Sequence, residues 1–265
     1  MDSIFFKSDF YKKPIEVANI NNEIIVIITD DFDRETIFSW YDLELQMTKS
    51  GYINKCLLWS FVKKIPKNVL IIWFWGGTFA KYLEDHISDI NITWIEIDQT
   101  MIDISKKIMW VKTSDLYVKD AIIALDEIIE KNLKFDSILV DIYWSNGEIP
   151  TFFLSEDFAS KLKQILFLQG TISINFSNGD TNEKILSDYK KMHFFMLKHF
   201  SKFYSCLLEW EKNYSNMSLI YNLDREYYKE NFHNNYLKEV TLWNIIYDDY
   251  IIGDLFVDNT LFLDN

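Results

Sequence analysis

The chain has 265 residues, 49% hydrophobic, 17% aromatic and 25% charged. That is enough apolar surface for one large domain, or an ordinary one with a smaller one attached, and it excludes a mainly disordered chain. Forty acids against 27 bases give a formal charge of −13. This argues against a nucleic-acid partner, because affinity there rests on Lys and Arg meeting phosphates, and it is compatible with a cationic substrate.

No apolar run approaches the roughly 20 residues a membrane helix needs, so no membrane partner is expected. The opening MDSIFFKSDFYKK has an acid at position 2 and no long apolar stretch, so a secretory signal is not expected either. Cys56 and Cys206 lack metal-site spacing and cannot make a disulfide framework. A cytoplasmic protein fits this usage.

Before residue 65 the chain alternates short β-like runs with turns. PIEVANI, Asn21-Asn22 and EIIVIIT predict a hairpin, since Asn tolerates the left-handed backbone of a tight turn. ETIFSW and DLELQMT predict two more strands, and Lys55 to Lys64 a short helix ending before Pro66. From Asn68 the order becomes strand, helix, strand, helix. The strands are NVLIIWF, ITWIEI, a short one at Leu116 to Val118, DSILVDI and TISINF. The helices are TFAKYLEDHI, QTMIDISKKIMW, DAIIALDEIIEKN and SEDFASKLKQIL, the last N-capped by Ser155 and closed by Gly170. EKILSDYKKMHFFMLKHF predicts a further helix, and FYSCLLEW with NMSLIYNL a closing antiparallel pair. The tail from Asp224 has no clear place. The pattern predicts an α/β protein: a Rossmann-like doubly wound sheet over 61–265 with an antiparallel edge, preceded by a small β-domain over 1–60.

In such sheets ligands bind outside the carboxyl ends of the strands, and four features fall there. Gly76-Gly77 lies between the first strand and its helix, where glycine lets a ligand approach the backbone; such a pair is more often just a tight turn. Glu96 ends the second strand, where a carboxylate can take the two hydroxyls of a ribose; the competing reading, a helix N-terminal acid, suits Asp98 better. Asp120 follows the third strand and can receive an adenine amino group, cap the next helix, or both. Asp141 closes the fourth strand, where a partly desolvated acid can hold or deprotonate an amine, and Tyr143 and Trp144 can form a wall beside it. The four histidines show no metal-ligand spacing, so no metal is expected.

Taken together, these segments resemble the spermidine synthase (polyamine aminopropyltransferase) superfamily, built on the class I S-adenosylmethionine-dependent methyltransferase fold. NVLIIWFWGGT stands where the family has VLVIGGGDGGT, and WIEIDQTMIDISKK at its VEIDxxVIEVSKK segment. VKDA stands at the GDA turn, and FDSILVDIYWSNGEIPTFFLSEDFASKLKQIL at the YDVIIVDSSDPxGPAxxLFSxEFYxxLKxxL segment. YDLELQMTKSGY is similar to the end of the family's β-domain. The resemblance implies that Gln46 contacts the methionine-derived part of the cosubstrate, Glu96 the ribose and Asp120 the adenine, with Asp141 orienting or deprotonating the amine.

There are departures from the family pattern. GGGDGG has become WFWGG, the second acid of DSSD falls at Trp144, and the His of Tyr-His-Glu falls near Asn54. The nucleoside half is kept more than the diamine half. The resemblance thus implies aminopropyl transfer from decarboxylated S-adenosylmethionine to a diamine such as putrescine, in a homodimer. Two alternatives stand beside it. One is methyl transfer from S-adenosylmethionine to a small molecule, since the VDxY form, with Asn175 and Phe176 on the fifth strand, also fits relatives suspected of that activity. The other is a non-catalytic relative whose Trp73, Phe74 and Trp75 fill the site.

Overall fold

The structure is a computed structural model. It describes residues 2–29, 35–49, 53, 56, 65–73, 75–112, 115–142, 149–177, 183–200, 202–207 and 216–222. The helix expected over Lys55 to Lys64, the 60/61 domain boundary and the tail from Asp224 lie outside these residues, apart from Cys56, which is helical.

The first layer is an antiparallel sheet in the order β1-β2-β3-β4-β5. Its strands are β1 (Asp2–Lys7), β2 (Pro14–Ile20), β3 (Glu23–Thr29), β4 (Glu35–Asp42) and β5 (Met47–Thr48). The β2–β3 hairpin turns as expected through Asn21 and Asn22, at φ 52° and 68°. DLELQMT differs from the expectation. The Asp42 side chain accepts from the backbone N–H groups of Glu44 and Leu45 at 3.0 and 2.9 Å. That competition folds residues 43–46 into a turn and leaves, beyond the end of β4 at Asp42, only Met47 and Thr48 as strand.

The second layer has seven strands in the order β11-β12-β10-β9-β6-β7-β8. The parallel ones are β6 (Asn68–Ile72), β7 (Asn91–Glu96), β8 (Asp115–Val118), β9 (Phe135–Val140) and β10 (Leu166–Ser177). Between them run α1 (Thr78–His86), α2 (Gln99–Lys107), α3 (Ala121–Glu130) and α4 (Glu156–Ile165). After β10 come α5 (Glu183–His199) and the edge strands β11 (Lys202–Leu207) and β12 (Asn216–Asn222), with β12 antiparallel to β10. Every residue of β9 is buried, as a strand covered on both faces requires. Each helix turns an apolar stripe inward; α4 buries Phe158, Ala159, Leu162 and Ile165 and is capped by Ser155, whose hydroxyl accepts from Phe158 N at 3.2 Å. The expected closing role of Gly170 is not found, because α4 passes directly into β10 and Gly170 is a strand residue. A Cβ there would stand 2.7 Å from Leu166 Cδ1.

One apolar cluster runs through both sheets, from Ile15, Val17 and Val26 to Val69, Ile71 and Trp94. Polar bonds seam β4 to α1: Ser39 and Thr78 share a hydrogen bond, and Tyr41 Oη donates to Asp85 Oδ2 at 2.6 Å.

Candidate functional site

The sheet topology sets four strand ends side by side at the carboxyl rim, in the order β9, β6, β7, β8. Asp141 follows β9, Trp73 follows β6, Glu96 ends β7 and Asp120 lies two residues beyond β8. Backbone bonds lock the first three level with one another. Asp141 N donates to Ile72 O at 3.2 Å, and Trp73 N to Ile95 O at 2.8 Å. At a strand spacing of about 4.8 Å, Glu96 and Asp141 stand roughly 10 Å apart with Trp73 between them.

Both outer acids are buried. Asp141 is 3% exposed, and its Oδ1 accepts from Asn175 Nδ2 at 2.8 Å. Glu96 is 1% exposed, and its Oε1 accepts from Asp98 N at 2.9 Å. Asp98 caps α2 by accepting from Thr100 N at 2.9 Å, so the helix-terminal acid is Asp98 and Glu96 is the last residue of β7. Asp120 is exposed and caps α3 through Ile122 N at 2.8 Å. Tyr143, with Trp144, lies outside the described residues.

Gly76 and Gly77 take left-handed φ values of 79° and 102°. Packing supplies a further reason for the first. A Cβ on Gly76 would stand 2.9 Å from Val26 Cγ2 and 3.2 Å from Ser39 Cβ, so the glycine lets the first sheet press onto the turn. Gln46 is not brought to the rim. It is an exposed residue of the β4–β5 turn at φ 53°, and its carbonyl meets His86 Nε2 at 2.7 Å, at the far end of α1. Nine residues of α1 (Thr78–His86) separate the two ends, a rise of about 12 Å.

The residue that completes the site came from a segment given no role above. Tyr11, 5% exposed, accepts from Trp73 Nε1 at 3.3 Å. Its ring packs edge-on to Phe10 at 5.0 Å, and Phe10 packs on Trp73 at 5.8 Å. Ser8 fixes this turn, accepting from Tyr11 N at 2.8 Å and donating to Asp98 Oδ2 at 2.6 Å. Burial, then the negative field of Glu96, holds the Tyr11 phenol well above its ordinary pKa, with Asp98 and Asp141 adding to the effect and the Trp73 bond opposing it. The hydroxyl therefore stays neutral beside three acids. No local pattern in the sequence signals this: the two bonds span 62 and 90 positions. Trp73 itself sits at φ 68°, a left-handed conformation rare for a bulky residue. Among the described residues no cluster of His, Cys, Asp or Glu gathers as a metal site.

The model of the spermine/spermidine synthase domain matches residues 58–227, well over half of the chain. The chain belongs to this family. Membership places it among group transferases. The sheet order and antiparallel edge are the class I methyltransferase arrangement expected from the sequence. A curated relative, an eEF1A lysine and N-terminal methyltransferase homolog from Drosophila pseudoobscura pseudoobscura, is 23% identical over 121 residues. That match covers 43% of this chain and only 18% of the relative. Human methyltransferase-like protein 13, solved with SAH, superposes with a TM-score of 0.61 at 18% identity, over 78% of this chain and 100% of that one. A spermidine synthase from Thermotoga maritima gives 0.62 at 14%, over 97% and 85%. A probable spermidine synthase from Corynebacterium glutamicum gives 0.66 at 14%, over 85% and 81%. These likenesses establish a shared fold. No helix of the described residues is long and apolar enough to cross a membrane.

Proposed function

We propose that this family member moves an aminopropyl group from decarboxylated S-adenosylmethionine to a diamine such as putrescine, with the nucleoside lying along the rim. The observation that carries the reading is the buried Asp141 carboxylate, held by Asn175 at 2.8 Å, two strands from the buried Glu96. Buried carboxylates are costly unless paired, and a rim with Glu96, Asp98 and Asp141 suits a cationic ligand. Glu96 takes the ribose hydroxyls, and Asp120, exposed at the neighbouring strand end, lies on the adenine side. Asp141 orients the amine. The amine nitrogen forms a bond to the carbon next to sulfur, the carbon–sulfur bond breaks, and its electron pair neutralises the sulfonium. The proton released by the new ammonium passes to Asp141 or to water. Because the sulfonium is already activated, alignment and stabilisation of the developing cation are the protein's main contribution.

The test is incubation with the decarboxylated cosubstrate and a panel of diamines, read by mass spectrometry. Asp141→Asn is expected to lower the rate about 100-fold or more. A product formed equally well by that variant removes Asp141 from the mechanism.

A second reading, methyl transfer from S-adenosylmethionine, is supported by the methyltransferase relative and by human methyltransferase-like protein 13, which was solved with SAH. The loss of the family's second acid at Trp144 fits it too. A methylated acceptor with S-adenosylmethionine, and no aminopropylated diamine, would decide for this alternative.

A further inference from the structure

Between Glu96 and Asp141 the rim is filled. Trp73, buried at 6% exposure, stands on the central strand end, and its indole is bonded to Tyr11. Tyr11 comes from the first sheet's β1–β2 connection, which Ser8 fastens to Asp98. A nucleoside with its ribose at Glu96 and its adenine toward Asp120 must direct its 5′ substituent over the end of β6 to approach Asp141. That crossing is where the two rings lie.

Resting on the nucleoside reading above, we propose that Ser8–Tyr11 is a strap across the cosubstrate cleft, with Tyr11 and Trp73 filling the crossing between Glu96 and Asp141, so that a nucleoside held at Glu96 extends its 5′ substituent toward Asp141 only by displacing them. The strap has the features of a separable contact. Its fastenings include the side-chain bond of Ser8 to Asp98, the ring-to-hydroxyl bond of Trp73 to Tyr11, and the ring contacts of Phe10 with Trp73 and of Tyr11 with Phe38. Each such neutral or singly charged bond is individually modest. Trp73 already has a backbone conformation that glycine adopts without strain. Removing its side chain therefore opens the crossing without asking the turn to move. The two rings are thus specificity determinants: they select against any nucleoside whose binding cannot compensate for their displacement.

The test is calorimetric titration of the full chain with 5′-methylthioadenosine and with S-adenosylhomocysteine. Wild type is compared with Tyr11→Ala, Trp73→Gly and Ser8→Ala, with near-ultraviolet circular dichroism checking that each variant is folded. Because the bound conformation must first be populated, the two ring deletions are expected to tighten binding about tenfold or more, and Ser8→Ala by a smaller factor. Saturating ligand is expected to speed hydrogen exchange at the Tyr11 amide, which Ser8 Oγ protects in the closed form. Equal affinity across wild type and folded variants, with unchanged exchange at Tyr11, overturns the strap while the nucleoside site stands. If no folded variant binds either ligand, the nucleoside reading itself falls and the strap falls with it. Should a ring deletion fail to fold, Tyr11→Phe, which keeps the ring and loses the bond to Trp73, supplies the comparison: tighter binding supports the strap, unchanged binding with unchanged exchange overturns it.

Discussion

Asn175 Nδ2 donates to Asp141 Oδ1 at 2.8 Å, from one parallel strand of the sheet to the end of its neighbour. Both residues are nearly inaccessible, at 5% and 3% exposure. A charge-assisted bond in such a place contributes about 2 kcal/mol. Asn175→Leu keeps the volume and removes the donor. Urea unfolding at neutral pH is expected to show a loss of about 2 kcal/mol. Unchanged stability would mean that other partners of Asp141 carry it.

Gly76 is constrained in two ways at once, by φ 79° and by the 2.9 Å approach that a Cβ would make to Val26 Cγ2. Gly76→Ala is expected to cost about 2–4 kcal/mol, combining left-handed strain with overpacking. Adding Val26→Ala relieves only the second part. The double variant should therefore be more stable than the sum of the singles predicts, by about 1 kcal/mol in a double-mutant cycle. Simple additivity would show that backbone strain is the whole cost.

His193, 2% exposed, lies 3.2 Å from Tyr221 Oη, and burial lowers its pKa from 6.5 to about 4. The folded imidazole stays neutral where the unfolded one takes a proton. Its contribution is therefore whole above pH 6.5 and is lost as pH falls toward 4, by up to about 3 kcal/mol. His193→Gln should flatten the fall in stability between pH 7 and pH 4.5. Parallel curves for variant and wild type would assign the acid sensitivity to other groups.

Ser8 and Asp98 are joined at 2.6 Å across 90 positions. Asp98 also caps α2 through Thr100 N. Asp98→Ala should therefore cost about 2 kcal/mol and Ser8→Ala about 1. The coupling between them, measured by thermal unfolding, should be near 1 kcal/mol. A vanishing coupling would show that Ser8 acts only on its own turn.

The parallel sheet was legible in the sequence because strands buried on both faces carry unbroken apolar runs, as in the VLII of β6, and their helices carry one apolar stripe each. Asp98 and Asp120 as caps were legible too, because capping is local. DLELQMT misled because alternation alone suggested a strand, while the Asp42 carboxylate closes a turn on Leu45. Gln46 was drawn to the rim by resemblance, and its turn carries it to His86 instead. Tyr11 was invisible, since its importance arises only when the first sheet docks on the second. Trp73 showed as a departure from a glycine pattern, but nothing nearby in sequence disclosed which ring would meet it.

Val26 and Ser39 bear on Gly76, and Tyr41 bears on Asp85. The amino-terminal sheet is thus keyed into the first crossover of its neighbour like a tenon. A chimera taking one half from a distant relative would inherit a mismatched joint at the very turn that borders the cleft. Exchange of parts within this lineage requires the two halves to travel together.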